Sequence, residues 1–463
     1  MTAASVDSTS TPPRGWLDYR AVWRWHFYAG IFCIPFVMWL ATTGSIYLFR
    51  PQIEAWLDRS YDNLNVAGTR ATPEAQVTAA LAAVPGGRLN SYELPQAPDS
   101  SVRVLVGRGA ELFRVYVHPQ TTQVLHVVRD DQRPMRRIFY LHGELMMGAR
   151  GSMLVEMAAS WAIVMILTGL FLWWPRKQGL AGVVYPRVWR GGRVFWRDIH
   201  AVAGIWVSCF TLFLLMSGLP WAKSWGNLLK GARQVSGDVV ARLDWTTGRE
   251  SEIEERIAMN TAPAADEHAA HRGEAASRPD SPYAPINQMV ATLAPLRLAP
   301  PVLISPPSRA SRGWTARSDS ANRPLRTNLE LDAATGAVVS RVDFGERPLV
   351  DRMVGVGVAA HEGQLFGLLN QFVGLFTATG LLTVCVSAIV LWWQRRPARV
   401  LGAPSPLERS RVPSVVFAMV TVLGLVFPML GISLLAVLAL ERLVFARIPS
   451  VGRFLGLDTP VRA

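Results

Sequence analysis

The stretch WRWHFYAGIFCIPFVMWLATTGSIYLF, residues 23–49, decides the fold, because it is long and apolar enough to span a membrane and because the chain repeats it. The copy is WRDIHAVAGIWVSCFTLFLLMSGLPW, residues 196–221. Three positions correspond at a constant displacement of 174 residues: His26 with His200, Gly30 with Gly204, and Gly44 with Gly218. Self-similarity of this kind predicts two copies of one structural unit.

A second pair of apolar runs, residues 153–174 and 365–393, repeats in the same way at a displacement of 219 residues. The matching positions are His142 with His361, Gly148 with Gly367, Thr168 with Ser387, and Trp173-Trp174 with Trp392-Trp393. The sequence therefore predicts two copies of helix, outer domain and helix. Copies inserted in the same orientation are related by an axis along the membrane normal.

The composition of the 463 residues is that of a membrane protein, with 50% hydrophobic and 17% charged residues and a mean hydropathy of +0.21. The net charge of +13 comes from arginines beside the apolar runs, where the positive-inside rule explains them. We therefore expect membrane lipid, and no nucleic acid, as a partner. Cys33, Cys209 and Cys385 lie within apolar runs and lack metal-ligand spacing, which argues against a disulfide framework or a zinc site.

Topology follows from the arginine-rich links after the second and fourth runs, residues 176–197 and 395–412, which are predicted to be cytoplasmic. Arg14, Arg20 and Arg24 place the N-terminus on the same side, so the two long polar segments face the periplasm of a bacterium. The predicted location is the bacterial inner membrane, with several spans and a cytoplasmic N-terminus.

The fold class predicted is an α-helical integral membrane bundle with two periplasmic α+β domains. Pro428 and Gly431 interrupt a fifth apolar run, which is either one kinked span or a helical hairpin, so five or six spans stay open. The predicted boundaries are a tail 1–22, a span 23–50, a first outer domain 51–136, an interfacial segment and span 137–175, a loop 176–197, a span 198–221, a second outer domain 222–352, an interfacial segment and span 353–394, a loop 395–412, the fifth run 413–445 and a tail 446–463.

Both outer segments carry hairpin patterns. Residues 103–128 alternate apolar and polar side chains around a turn at residues 119–122, and residues 329–342 do so around a turn at 332–336. Between them, residues 261–282 are rich in Ala, Pro, Asp, Glu and His without periodicity and are predicted to be a mobile insertion.

Four of the eight histidines fall at repeat-equivalent positions. The predicted topology puts His26 and His200 at one membrane face and His142 and His361 at the other. An axis through the bundle brings each pair together, and two neutral imidazoles facing across a gap are what a six-coordinate haem iron requires. The sequence predicts two haem b groups, with those four histidines as ligands of the haem iron.

Glycine spacing supports the haem prediction. Gly44 is 18 residues beyond His26, which is five helical turns and therefore the same face, about 27 Å along the helix. Gly30 shares that face, and Gly204 and Gly218 repeat it, so a flat macrocycle can pack near each end. Glycine faces also serve close helix packing without a cofactor, and that alternative stays open.

Charged residues near the membrane supply further candidates. Arg136, Arg137 and Arg150 are predicted to hold haem propionates or an anionic chelate, with plain interfacial charge as the alternative. Glu156 lies inside the second run, and an intramembrane carboxylate is a functional candidate by default. It either receives protons, pairs with Arg150 or another group, or faces the bundle interior.

The block Leu141-His142-Gly143 through Leu172-Trp173-Trp174-Pro175-Arg176, with its second copy at 361–393, resembles the PepSY-associated transmembrane family. The hairpin Val115-Tyr116-Val117-His118-Pro119 looks like the PepSY-type module of that family, so both outer domains are expected to be PepSY-like. His118 stands where the family usually has Asp, and Thr122 stands where it has Gly, whereas Asp332 and Gly336 keep the pattern.

The resemblance implies an enzyme, a haem-dependent reductase that moves electrons to Fe(III) held by a periplasmic siderophore and releases Fe(II). Hard oxygen ligands hold Fe(III) far better than Fe(II), so one-electron reduction releases the iron. The sequence contains no Gly-rich dinucleotide fingerprint after a strand, so we expect an external electron donor, either quinol or a cytoplasmic reductase.

Three alternatives stay open. A PepSY-type envelope sensor or regulatory protein does not need four histidines in register. A quinone-linked electron-transfer subunit needs the haems but no siderophore. A transporter built on parallel repeats needs broken, polar helices near the membrane midplane. Only Glu156 and the Thr/Ser-Gly pairs point to such helices in this sequence.

Overall fold

The computed structural model describes residues 18–174, 179–235, 248–262, 281–404 and 414–457. The helices in these ranges are α1 Tyr19–Leu48, α2 Arg50–Asp58, α3 Pro73–Ala82, α4 Pro134–Glu144, α5 Ala149–Trp173, α6 Gly192–Gly218, α7 Lys223–Val235, α8 Gly248–Asn260, α9 Ile286–Leu293, α10 Leu349–His361, α11 Leu368–Arg395, α12 Ser414–Val426, α13 Pro428–Leu443 and α14 Pro449–Leu455. The strands are β1 Arg88–Glu93, β2 Val102–Arg108, β3 Glu111–Val117, β4 Val124–Arg129, β5 Val302–Ser305, β6 Trp314–Ser318, β7 Thr327–Leu331 and β8 Val338–Asp343.

The described part of the chain contains four helices that are long and apolar enough to cross a membrane, α1, α5, α6 and α11. They coincide with the first four predicted runs. Many of their large apolar side chains, such as Trp39, Phe213 and Phe372, are exposed, as is expected of helices whose outer faces contact lipid. The protein is therefore a helical membrane protein.

The fifth apolar run folds back on itself. Helices α12 and α13 are separated by the single non-helical residue Phe427. A Cβ atom added to Gly424 would lie 3.3 Å from the Cα of Gly431, whereas seven residues of continuous helix span about 10 Å. The run is therefore a tight helical hairpin rather than one kinked span, and each arm is shorter than the roughly 20 residues that a bilayer core requires.

The chain divides into two compact units. One contains residues Met1–Met38, Met157–Leu212 and Gly380–Ala463, and the other contains Trp39–Glu156 and Phe213–Thr379. The described residues of the first unit include the hairpin of α12 and α13. The second unit contains the whole β-sheet with its covering helices.

The sheet is one antiparallel layer of eight strands in the order β4-β3-β2-β1-β5-β6-β7-β8. Each predicted outer domain supplies a four-stranded meander. The two meanders join where Tyr92 and Glu93 of β1 pair with Ile304 and Leu303 of β5. The sheet is thus one element built from two similar halves.

The two halves also share one hydrophobic core. Helices α3 and α9 cover the same face of the sheet, and Val77, Met289 and Leu293 from these helices pack in one cluster with Tyr92 and Ile304 of the joining strands. The sequence predicted two α+β domains, and the α+β content is confirmed, but the two halves are not separate. The physical reason is that β1 and β5 would otherwise be open edge strands, and their pairing satisfies both backbones.

The turns of the two halves have the same design with different residues. In the second half, Asp332 accepts hydrogen bonds from the backbone N–H groups of Ala334 and Thr335, and Gly336 has a φ of +66°. In the first half, His118 Nδ1 accepts from the backbone N–H groups two and three residues later, at 3.2 Å each, and Thr122 has a φ of +59°. An imidazole nitrogen therefore takes the place of the carboxylate that Asp332 supplies at the equivalent turn of the second half.

Several predicted segments fall partly outside the described residues. These are most of the insertion predicted at 261–282, most of the N-terminal tail, the Pro175-Arg176 end of the second run, much of the 395–412 loop and the end of the C-terminal tail.

Candidate functional site

His26 and His200, the first histidine pair, face each other within the helical unit. His26 lies on α1 and His200 on α6, both near the beginning of a long helix. Their ring centroids are 6.4 Å apart, and the ring planes are at 83° to each other. The repeat-equivalent positions are therefore brought together as predicted.

His142 and His361, the second histidine pair, meet in the other unit. His142 is near the end of α4, and His361 is the last residue of α10, so both precede a long apolar helix. Their ring centroids are 6.3 Å apart, with an interplanar angle of 78°. The two pairs thus have nearly the same geometry.

Each histidine Nδ1 contacts a hydroxyl group on a long helix. The contacts are His26 with Thr168 at 3.0 Å, His200 with Ser387 at 3.2 Å, His142 with Thr43 at 3.0 Å and His361 with Ser217 at 3.0 Å. Thr168 and Ser387 are repeat-equivalent, and so are Thr43 and Ser217. The sequence alignment of the copies contained these residues, but their role as partners of histidine was missed.

The hydroxyl groups determine which nitrogen of each histidine carries the proton. Thr43 Oγ1 donates its only hydrogen to the carbonyl oxygen of Trp39, at 2.8 Å, so it accepts a hydrogen bond from His142 Nδ1–H. The other hydroxyl groups donate in the same way, from Thr168 to Val164, from Ser217 to Phe213 and from Ser387 to Val384. All four Nδ1 atoms are therefore donors, and each Nε2 keeps a lone pair.

The spacing within each pair fits two imidazoles that share one metal ion. Two metal–nitrogen bonds of about 2.0–2.1 Å, plus about 1.1 Å from each nitrogen to its ring centre, give a centroid separation of about 6.3 Å. The observed separations are 6.4 Å and 6.3 Å. A hydrogen bond from Nδ1–H is the usual outer partner of a histidine that binds metal through Nε2. The residues present therefore fit a bis-histidine haem at both positions.

Within the ranges that the structure describes, no group of three or more His, Cys, Asp or Glu residues is placed to bind a metal ion by side chains alone. Two protein ligands suffice for haem, because the macrocycle supplies the other four. His142 and His361 are also in the neutral form that binds metal. Burial, with the neighbouring His361, lowers the pKa of His142 to about 4, and burial lowers the pKa of His361 to about 4.

Two of the four predicted glycines, Gly44 and Gly218, lie next to the second histidine pair. A Cβ atom at Gly44 would lie 3.2 Å from Cε1 of His142, and one at Gly218 would lie 3.4 Å from Cε1 of His361. These glycines therefore leave room for the imidazoles of the second histidine pair, and their contact with a macrocycle stays a prediction. Each of them directly follows the hydroxyl residue that holds the same histidine.

The glycines near the first histidine pair are more open. A Cβ atom at Gly204 would meet no atom within 4 Å, and one at Gly30 would meet only Met165, at 3.7 Å. This is consistent with the predicted space for a macrocycle. The glycine that makes room for His26 is instead Gly169, where a Cβ atom would lie 3.2 Å from Cε1 of His26.

The three predicted arginines lie in different environments. Arg136 pairs with Glu252 and, at 3.6 Å, with Asp130, so two carboxylates already balance its charge. Arg137 and Arg150 are exposed. The role in holding an anion stays a prediction for these residues, and for Arg136 the acidic partners weigh against it.

Glu156 caps a helix. Its Oε2 accepts a hydrogen bond from the backbone N–H of Ser224, at 2.9 Å, in the first turn of α7. One turn earlier on α5, Ser152 Oγ accepts from the backbone N–H of Lys223, at 3.2 Å. Unpaired N–H groups and the positive end of the helix dipole make this a favourable position for a carboxylate. The buried carboxyl group of Glu156 therefore has a structural role at the start of α7.

A cavity of about 1840 Å³ lies in the unit that contains the sheet. Its lining includes Trp221, whose ring centroid is 6.3 Å from that of His361, and Glu362, the residue that follows this histidine. Tyr47, three residues beyond Gly44 on α1, also lines it. The cavity therefore extends to the surroundings of the second histidine pair.

Sequence reasoning missed Arg323, a buried residue of this cavity. Its guanidinium carbon lies 5.6 Å from the centroid of Trp221. The loop that carries it has no counterpart in the first copy, so the internal repeat gave no signal for it.

A family model described as "PepSY-associated TM region" matches residues 23–395. The match includes all four histidines and their hydroxyl partners, and it ends before α12. Comparison with curated proteins gave no match.

Proposed function

Because the chain belongs to the PepSY-associated transmembrane family, we propose that it is a di-haem b-type reductase of the bacterial inner membrane that reduces a periplasmic ferric siderophore and releases Fe(II). The observation that carries the proposal is the pair of matched bis-histidine sites. His26 with His200 and His142 with His361 have the same separation, the same tautomer and the same kind of hydroxyl partner. A haem bound at each site supplies reversible one-electron transfer.

The protein side chains hold and tune the sites. The hydroxyl groups fix the orientation of each imidazole and make its Nε2 a better donor to metal. Transfer of an electron to a ferric chelate needs proximity and a suitable potential, and it needs no general acid, base or nucleophile.

The cavity beside the second histidine pair is the proposed site of the ferric chelate. Its volume exceeds the few hundred to about 1,000 Å³ of common small-molecule pockets, so it can admit a siderophore. Its lining includes Trp221, whose ring centroid is 6.3 Å from that of His361, and Glu362, the residue that follows His361. A chelate held there is close to the second histidine pair.

Electrons enter from an external donor, either quinol or a cytoplasmic reductase. The proposed orientation rests on the arginine-rich loops, which favour a cytoplasmic N-terminus and a periplasmic sheet. Labelling of Ala110→Cys and Arg309→Cys with a membrane-impermeant maleimide tests the orientation, because both positions are exposed on the sheet unit. Protection of both cysteines in intact spheroplasts contradicts it.

A visible absorption spectrum of the detergent-purified protein, oxidised and dithionite-reduced, tests the haem part of the proposal. We expect Soret and α bands of low-spin haem b. A colourless protein that nevertheless folds would favour an envelope sensor or regulatory protein of the PepSY type.

The reaction is tested separately, by mixing the reduced protein anaerobically with ferric siderophores in the presence of ferrozine. Reoxidation of the haem bands with formation of the Fe(II)–ferrozine complex is expected. Reoxidation by a quinone, but by no ferric chelate, would replace the proposal with a quinone-linked electron-transfer role.

A further inference from the structure

The loop that leads into α6, residues 179–191, is fixed to two spanning helices. The indole N–H of Trp173, at the end of α5, donates to the carbonyl oxygen of Val183 at 2.9 Å. The indole N–H of Trp206, on α6, donates to the carbonyl oxygen of Val184 at 3.0 Å. We call this segment the aromatic loop.

An ion pair fixes the second part of the aromatic loop. Arg187 Nε and Nη2 donate to the two carboxylate oxygens of Asp198, at 2.6 Å and 2.9 Å, and the backbone N–H of Arg187 donates to the same group at 3.2 Å. Asp198 lies in the second turn of α6 and is fully buried. The conformation of the loop, and with it the exposure of its side chains, is therefore set by the fold.

The side chains that the aromatic loop exposes are apolar and aromatic. Trp189 is 96% exposed, Leu180 is 69% exposed and Tyr185 is 56% exposed. Val184 and Val188 are exposed as well. Trp and Tyr are enriched at the headgroup level of membranes, because one side of each ring contacts apolar groups and its polar atom contacts water or headgroups.

Exposed guanidinium groups accompany these side chains. They belong to Arg190 in the loop and to Arg193 and Arg197 in the first two turns of α6. Asp198 is the sole acidic residue of the loop and these two turns, and its carboxylate already contacts Arg187 and Arg197. Within the described part of the chain, Arg190 and Arg193 form no ion pair. Their charges can therefore be balanced by an anionic ligand.

The position of the loop along α6 favours lipid as the source of that anion. Trp206, which holds the loop, lies nine residues beyond Arg197, about 14 Å along the helix axis. The loop thus lies beside the first part of a helix that is long and apolar enough to cross a membrane. Arginines come first and apolar and aromatic groups follow, which is the order of headgroups and acyl chains in one leaflet.

We propose that Tyr185, Trp189, Arg190 and Arg193 form a binding surface for an anionic phospholipid, in the leaflet that the predicted topology makes cytoplasmic. A guanidinium group binds a phosphate through paired hydrogen bonds, and basic side chains at a membrane surface are attracted to anionic lipid. The inference goes beyond general contact with lipid, because it specifies the charge of the headgroup. It does not depend on haem or on the proposed reaction.

Native mass spectrometry of the full-length protein in detergent tests the headgroup preference. Titration with phosphatidylglycerol and with phosphatidylcholine of the same acyl chains gives the Kd of the first bound lipid. We expect tighter binding of phosphatidylglycerol, by a factor of about five for each arginine that contacts it. The double variant Arg190→Gln/Arg193→Gln should lose this preference, and Trp189→Ser should weaken the binding of both lipids.

A matched control is Arg309→Gln/Arg312→Gln, which removes the same charge from exposed positions of the sheet unit and should keep the preference. The side chains of Trp189, Arg190 and Arg193 take no part in the hydrogen bonds that fix the aromatic loop. The fold of the loop should therefore survive their substitution.

A second measurement leaves the arginines intact and tests whether the loop lies in the headgroup layer. Val188→Cys in a Cys209→Ser background, labelled with bimane, is placed in nanodiscs that contain phosphatidylglycerol; Cys33 and Cys385 are buried. A lipid with a nitroxide on its headgroup should quench the bimane, and aqueous iodide should not. Ala110→Cys, exposed on the sheet unit, should show the opposite pattern.

The proposal is overturned if the wild type binds both lipids equally, or if the double arginine variant keeps the preference of its control. It is also overturned if iodide quenches the bimane at position 188 while the spin-labelled lipid does not. That result would place the aromatic loop in water, where a soluble protein is the partner of such a surface.

Discussion

The two histidine pairs have the same internal geometry but different surroundings. In both, near-perpendicular imidazoles about 6.3 Å apart donate Nδ1–H to a Thr or Ser hydroxyl. At the second histidine pair, Gly44 and Gly218 accommodate both imidazoles and a large cavity lies alongside, whereas at the first pair Gly169 accommodates His26, and Gly30 and Gly204 face more open space. The comparison indicates that the ligand geometry is common to both copies and that the surroundings distinguish their tasks.

The largest loss of haem is expected when one histidine ligand of a pair is removed. We expect His200→Ala to lose the haem of the first pair and His361→Ala to lose that of the second, so a pyridine haemochrome assay should fall from about two haems per chain to about one in each variant. The double variant should contain none. Full haem content in either single variant would show that the pairing is wrong.

The next largest effect is expected from the hydroxyl groups that fix the tautomer. Thr43→Val and Thr168→Val preserve side-chain shape and remove the acceptor of His142 and His26, respectively. Changes of such outer partners typically weaken metal binding 10–100-fold. Haem transfer to apomyoglobin should accelerate at only one site in each variant, and the midpoint potential of that site should rise because the imidazole becomes a weaker donor.

Thr421→Val on α12 is a matched control, since Thr421 makes the same kind of hydrogen bond to the carbonyl oxygen four residues earlier but contacts no histidine. Equal rates of haem loss in Thr43→Val and Thr421→Val would mean that the contact between hydroxyl and imidazole does not support the ligand.

Glycine substitutions sharpen the contrast between the two surroundings. Gly44→Ala places a methyl group 3.2 Å from His142, so the imidazole must shift by a few tenths of an ångström. Gly204→Ala meets no protein atom within 4 Å, and any effect of it on the haem of the first pair must come from contact with the macrocycle itself. Low-spin EPR spectra of the oxidised protein, with Gly231→Ala as a control in open space, distinguish these cases.

A spectrum of Gly204→Ala identical to the wild type would remove the argument that this glycine faces a macrocycle. A spectrum of Gly44→Ala identical to the wild type would mean that the ring of His142 is not confined by α1.

The internal repeat made the histidine pairs predictable, because a constant displacement identifies equivalent positions without knowledge of the fold. The hydroxyl partners were in the same alignment, next to Gly44 and Gly218, but a hydrogen bond between Thr43 and His142 depends on how α1 packs against α4. That packing is a tertiary feature with no periodic signal. The glycines were therefore assigned to a macrocycle, although two of them accommodate imidazoles.

The single sheet and Arg323 could not be predicted for different reasons. Pairing of β1 with β5 joins segments about 200 residues apart, and either strand alone reads as an ordinary edge. Arg323 lies on a loop that only the second copy has, so it has no equivalent position in the first copy to compare it with. The α+β content, in contrast, was visible from local alternation in each hairpin.

The smallest effect is expected at Glu156, and it tests whether the second histidine pair depends on its own unit. Glu156→Ala removes the carboxylate that accepts the Ser224 N–H at the start of α7, and loss of such a cap costs about 0.5–2 kcal/mol. Glu156→Gln keeps an acceptor oxygen and should lose less. Because Glu156 belongs to the unit that contains His142 and His361, thermal loss of the haem bands should begin at a lower temperature for the second site only. Equal loss from both sites would mean that the two pairs unfold as one cooperative unit. The different surroundings of the two pairs would then cause no difference in their thermal stability.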